Sequence, residues 1–167
     1  MKSLRFAQLA LLAAVVFFLA LVVFNNLTDY GSNLKFVQHV LTMDNTFPGN
    51  SGLWRALNQP AIHRAFYAFI IFWEALTACL MGIGVWRLWQ TRKGPSVAWN
   101  MAKSLGTLGL TLSLLQWSVF FLSVGGEWFL MWQSKIWNGQ EAAFRNFALM
   151  GLTLIILQLR EPEDAEG

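Results

Sequence analysis

The sequence predicts an all-α polytopic membrane protein: a four-transmembrane-helix bundle with helical outer loops. Three observations carry that expectation. Of the 167 residues, 56% are hydrophobic and 13% charged, with a mean hydropathy of +0.46, whereas a soluble domain averages about one-quarter charged. Four stretches are nearly free of charge at lengths near the 17–25 residues, roughly, that a bilayer requires. Nine Trp and 14 Phe complete the pattern, because Trp favours the lipid headgroup level.

The length suits one domain spanning 1–167. The formal charge of +3 is spread over the connections, and Lys and Arg never cluster beyond Arg92-Lys93. No nucleic-acid partner is therefore indicated. The lipid bilayer is the first partner, and another membrane protein or a second copy of the chain is the next. Cys79 is the single cysteine, so an intramolecular disulfide is excluded.

Span 1 is expected at about 5–26. Lys2 and Arg5 precede 19 uncharged residues, Phe6 to Phe24. A signal peptide has the same basic start, but this apolar run is long and no A-x-A site precedes Asn25-Asn26, so an uncleaved anchor is preferred. Ala10, Ala13, Ala14 and Ala20 offer it a small-residue stripe for close helix packing. The outer segment 27–59 opens with turn formers, Asp29 and Gly31 being the expected turn positions. Leu34, Val37 and Leu41 then recur at helical spacing, with Ser32 or Asn33 as cap. Such a short amphipathic helix lies along the interface or caps the bundle. A further helical turn is expected in SGLWRAL, and Pro60 suits the first turn of span 2.

Span 2, about 61–88, has 22 residues between Arg64 and Arg87 with one charge among them, Glu74. An isolated charge at that depth costs roughly 2.5–3.5 kcal/mol on insertion scales, so it needs a partner, a proton or a task. Span 3, about 98–124, carries Ala102, Gly106, Gly109 and Ser113 as a small-residue seam, with Gln116 next along it and Gly125-Gly126 expected to end it. Segment 125–139 places Trp128, Trp132 and Ile136 on one helical side, an interfacial helix or wide aromatic loop. Span 4, about 140–159, is short: only 14 uncharged residues separate Arg145 from Arg160, about 21 Å against a core of roughly 30 Å. The acidic tail 161–167 is expected to be mobile. Lys2, Arg5, Arg87, Arg92, Lys93, Lys103 and Arg160 outnumber Lys35, Arg55, Arg64 and Lys135, which predicts that both termini are cytoplasmic.

The segments FNNLTDYGSNLKFVQHVLTMDNTFPGN and LWRALNQPAIHRAFY, with WEALTA in span 2, resemble a bacterial family of predicted small integral membrane proteins catalogued as a domain of unknown function. The resemblance extends over nearly the whole chain. It implies a bacterial inner-membrane location and four spans, and transfers no activity, cofactor or catalytic residue.

Counting from the cytoplasmic charges puts Glu74, Gln116 and Arg145 at one depth, about 20–22 Å above the inner face. The leading expectation is a buried Glu74–Arg145 ion pair bridged by Gln116 that fixes helix register. A proton or ion relay is the functional alternative, and a local Glu141–Arg145 pair at i,i+4 the third. On the outer face, His39 and His63 with Asp29 or Asp44 form a possible ligand or metal site, and a bis-His haem is a remoter one. No spacing demands either, so no cofactor is predicted; the bland reading has both imidazoles bonded to loop backbone or headgroups.

No nucleophile–base set or phosphate loop is recognisable. The leading functional reading is thus a non-catalytic accessory or scaffolding subunit of a larger membrane complex. A small transporter or ligand-binding bundle using the Glu74 layer is the alternative, and a redox or quinone-linked protein using His39 and His63 the third.

Overall fold

The structure is a computed structural model, and residues 3–161 are described. Among them the chain is all-α, with no strand. The helices are α1 (Ser3–Thr28), α2 (Tyr30–Thr42), α3 (Pro60–Thr91), α4 (Ser96–Trp128) and α5 (Gln140–Gln158). Three of them, α1, α3 and α4, are long and apolar enough to cross a membrane. The sequence reading expected four. The fourth, α5, is not in that group because its first half carries Gln140, Glu141, Arg145 and Asn146.

One core joins α1, α3, α4 and α5. Leu12 and Leu19 meet Met81 and Leu88, Trp99 and Leu110, and Met150 and Leu157, each at most 1% exposed. The seam expected on span 3 is the place where α3 and α4 cross. A Cβ on Gly84 would lie 2.7 Å from the Gly106 backbone nitrogen, and one on Gly109 would lie 2.5 Å from the Met81 side chain. Absent side chains there let the two backbones touch, the usual means of close packing between membrane helices.

The stripe expected on span 1 is corrected. Ala10, Ala14 and Ala20 are uncovered, whereas Arg5, Gln8, Leu9, Leu12, Val15 and Leu19 form the buried face of α1. Larger apolar side chains fill more of the bundle interior, and they win the inward positions.

Two further corrections concern helix ends. The turn expected around Asp29 and Gly31 is a single irregular residue, Asp29 (φ −113°, ψ 47°), between two helices, and no side chain caps α2 there. Gly125-Gly126 does not end span 3. The chain continues to Trp128 in π-helical winding that begins at Gln116. Within it the adjacent residues Gln116 and Trp117 both face inward, at 0% and 6% exposure. The Trp73 indole N–H donates to the Leu112 carbonyl at 3.1 Å beside the junction.

Above the spans, α2 lays Val37, Val40 and Leu41 against Tyr67 and Ile71 of α3 and against Phe129 and Met131. It is a cap packed on protein, one of the two placements expected. The SGLWRAL turn is a 3₁₀ turn at Leu53–Arg55, and Pro60 opens α3. Trp54, Trp128, Trp132 and Ile136 stay uncovered around this end, as an interfacial belt requires.

At the opposite end a polar plate ties the chain's extremities together. Arg5 Nε donates to Glu161 Oε2 at 2.7 Å, and its Nη1 donates to the Gly94 carbonyl at 2.7 Å. Gln8 donates from Nε2 to the Leu159 carbonyl at 2.8 Å, and its Oε1 accepts the Trp99 indole N–H at 2.8 Å. Lys103 Nζ donates to the same Leu159 carbonyl at 2.7 Å. These donors satisfy carbonyls at the end of α5 that have no helical partner. Glu161, read from sequence as the first residue of a mobile tail, is 5% exposed within this plate. The rest of that expected tail, 162–167, lies outside the described residues.

Candidate functional site: an outer cavity around Glu74

The buried stripe of α1 (Leu12, Val15, Leu19) continues at three- and four-residue steps through Val22 to Asn26. It therefore delivers an amide to the level where α3 presents Glu74 and α4 presents Gln116. Glu74 is 2% exposed. Its Oε2 accepts from Asn26 Nδ2 at 2.7 Å and its Oε1 accepts from Gln116 Nε2 at 3.1 Å. Tyr67, one helical repeat earlier on α3, donates its hydroxyl to the Asn26 carbonyl at 3.0 Å. Three helices thus hold one carboxyl group with two neutral amide donors.

Of the layer expected from sequence, the structure joins Glu74 and Gln116 and leaves Arg145 out. Arg145 Nη1 lies 3.9 Å from Glu141 Oε1 on the outer face of α5, where the two side chains are 71% and 89% exposed. The buried face of α5 is Ala143, Met150, Thr153 and Leu157. Arg145 sits two residues past Ala143, about 200° around the helix, so equal depth does not bring it to Glu74. The expected Glu74–Arg145 pair is replaced by neutral amides, and Asn26 is the partner that sequence reasoning missed. Its signal was present: it extends the inward stripe of span 1 by two further steps.

Glu74 lies on the wall of a cavity of about 230 Å³ shared by α1, α2, α3, α4 and α5. Asn26, Asn33, Tyr67, Trp117 and Asn146 give it polar groups, and Phe36, Ile70 and Phe121 give it apolar ones. Two buried polar atoms here find no partner among the described residues: the Trp117 indole N–H, on the cavity wall, and Gln116 Oε1. Such orphans cost free energy unless something else satisfies them. Next to this cavity runs an apolar groove of about 360 Å³ under α2, which shares Phe36, Val37, Ile70 and Phe121 with it.

The second expected site is not assembled. His39 Nδ1 bonds Asp44 at 2.8 Å, and its ring stacks on Trp137 with centroids 4.4 Å apart. His63 is buried, and its Nε2 lies 2.6 Å from the Leu57 carbonyl. Asp29 stands at the start of α2. Among the described residues no group of three or more His, Cys, Asp or Glu is arranged to hold a metal ion. His63 is thus bonded to loop backbone, as the bland reading has it, whereas His39 bonds the Asp44 carboxylate, a side-chain partner that reading did not include. Cys79, on α3, is not covered by protein.

No curated protein and no solved structure matches the chain. A family model described as predicted small integral membrane protein (DUF2165) matches residues 4–160. That match covers nearly the whole chain and agrees with three membrane-length apolar helices and a buried polar interior: the protein belongs to this family of small integral membrane proteins.

Proposed function

We propose that the protein is a four-span bacterial inner-membrane protein with both termini cytoplasmic, and that its outer half binds a small ligand. The observation that carries this reading is the Glu74 carboxyl group, held by three helices, facing a cavity of about 230 Å³ and bonded, among the described residues, only to neutral side chains. A structural lock would fill the space around such a group or pair it with a cation, since a buried polar group kept for stability alone is a poor investment. Here the space is left open and the Trp117 N–H in its wall is unmatched. Four crossings are supported by the polar plate, where the start of α1, the 92–94 turn and the end of α5 converge.

The test is native mass spectrometry of protein extracted from its own membranes. A non-covalent small molecule is expected on the parent and not on Ala142→Trp, which fills the cavity. Identical adduct profiles for the two would overturn the reading.

A second reading, the accessory subunit, is favoured by a different observation. An open apolar groove of about 530 Å³ runs between α1 and α3, lined by Phe6, Ala10, Ala13, Gly82, Trp86 and Trp89. Ala10, which the bundle leaves uncovered, and Ala13 are on this side, where a partner helix would pack closely. A stoichiometric protein partner in mild detergent, lost in Ala10→Trp, is the result expected on that reading; a lone monomer counts against it.

A further inference from the structure

We propose that the Glu74 cavity and the adjoining groove form one binding site for amphiphilic organic cations, with an ammonium head on Glu74 and an alkyl tail under α2. The inference rests on reading the cavity as a ligand site and adds the class of ligand. Four features of the molecule lead to it.

Charge is the first. A carboxyl group at 2% exposure either stays neutral or takes a counter-charge. Among the described residues no basic side chain bonds Glu74, and Arg145 is turned to Glu141 on the far side of α5. Asn26 and Gln116 each occupy one lone pair of the carboxylate. A carboxylate accepts about four bonds in all, so its remaining lone pairs are open to a donor from the cavity. A cationic ligand supplies both the charge and the donor.

The walls are the second. Tyr67, Trp117, Phe36 and Phe121 line the space around the acid, and the Trp117 and Phe121 rings lie 4.7 Å apart. Aromatic faces attract cations and offer nothing comparable to an anion. Third, the unmatched Trp117 indole N–H asks for an acceptor on the ligand. An oxygen close to the ammonium nitrogen, as in an alkyl ethanolammonium, meets it.

The groove is the fourth feature. It continues from the cavity past Ile70 and Phe121 and emerges between Phe66, Phe69 and Val119, which are 41%, 44% and 41% exposed. Those residues sit on membrane-length helices, so the opening faces lipid. A single-chain amphiphile reaches the acid from within the bilayer, head first, leaving its tail among apolar side chains. A neutral amphiphile would gain the groove and leave Glu74 uncompensated, and an anionic one would be repelled.

The experiment is calorimetric titration of the full chain in lipid nanodiscs, corrected for partition into empty nanodiscs, with decylammonium, decanol and decanoate. Decylammonium is expected to bind saturably at one site, decanol at least about ten-fold more weakly because it lacks the charge-assisted bond, and decanoate not at all. This comparison is made on the parent, so it does not depend on any variant folding. Glu74→Gln is expected to remove the preference for decylammonium over decanol. Trp117→Phe is expected to keep it while abolishing any advantage of N-decylethanolammonium. If decanol binds as tightly as decylammonium and Glu74→Gln changes neither, the cation class is overturned while the ligand site stands. If none of the probes saturates and the parent carries no adduct from its own membranes, the ligand site itself is overturned.

Discussion

Gly82 and Gly84 are two residues apart on α3, and replacing each by Ala separates helix packing from helix propensity. A Cβ on Gly82 meets nothing closer than Val16 Cγ1 at 3.9 Å. A Cβ on Gly84 would lie 2.7 Å from the Gly106 backbone nitrogen and 2.9 Å from its Cα. Both substitutions remove the same backbone freedom, so each carries the same propensity gain, about 0.8–1 kcal/mol. The gain cancels in the comparison. What remains is the cost of forcing α3 and α4 apart, and because backbone cannot rotate out of the way as a side chain does, it belongs at the upper end of the overpacking range, about 3 kcal/mol. Gly82→Ala should therefore be neutral or slightly stabilising, and Gly84→Ala should fall about 3 kcal/mol below it. The assay is reversible unfolding in mixed micelles, followed by circular dichroism as the denaturing detergent fraction rises. Equal midpoints for the two variants would refute a backbone-to-backbone crossing at this point.

Two further outcomes follow from the polar groups. Arg145→Ala should leave stability within about 0.5 kcal/mol of the parent, because its pair with Glu141 is surface-exposed; a loss of several kcal/mol in the same unfolding assay would restore the buried pair with Glu74. The Asp44 carboxyl, in the loop after α2, is held below its usual value of 3.8: partial burial acts to raise it, and the hydrogen bonds from Asn45 and His39 outweigh that and lower it. A depressed carboxylate stabilises above its unfolded value, so the Asp44 contribution is present above pH 3.8 and fades as pH falls through the lower folded value. A carbon-detected NMR titration of Asp44 should show a midpoint under 3.8, and one at or above it would contradict the bonding described.

Depth along a helix was legible in the sequence and direction around it was not. Counting residues put Glu74 and Gln116 in one layer, and they are hydrogen-bonded. The same count put Arg145 there and failed, because only the packed neighbours fix which side of α5 faces in. The seam Gly106–Gly109 was legible because small residues at regular steps have few other uses. The alanines of α1 mimicked such a seam, and the larger Leu and Val of the opposite face took the interior instead. The π-helical stretch from Gln116 had no readable signal. At its start the Leu112 carbonyl takes the Trp73 indole N–H in addition to the Gln116 backbone N–H, a contact from another helix that no local pattern announces. The cavity was unreadable for the same reason: it is made by Asn26, Tyr67, Trp117 and Asn146 from four helices.

The role of α5 decides the topology. At 19 residues it is about 28 Å long, close to the hydrocarbon thickness of roughly 30 Å. Its polar first half weakens it as an independent span, yet its other half is apolar and packs on α4, with Met150 and Leu157 in the core. The last carbonyls of α5 take donors from Gln8 and Lys103, and Glu161 meets Arg5. This helix is bound at one end and seated beside the Glu74 cavity at the other, through Ala142 and Asn146, which supports the fourth crossing proposed above. On this reasoning single cysteines at Asn45 and Lys135, in a Cys79→Ser background, should react with an impermeant thiol reagent from outside intact cells. A cysteine at Lys93 should react only after permeabilisation, and a reporter fused after Gly167 should be active in the cytoplasm. An external C-terminal reporter together with an internal Lys93 would put Glu161 and the 92–94 turn on opposite sides of the membrane. The Arg5–Glu161 contact could not then form, and both the polar plate and the fourth crossing would fall with it.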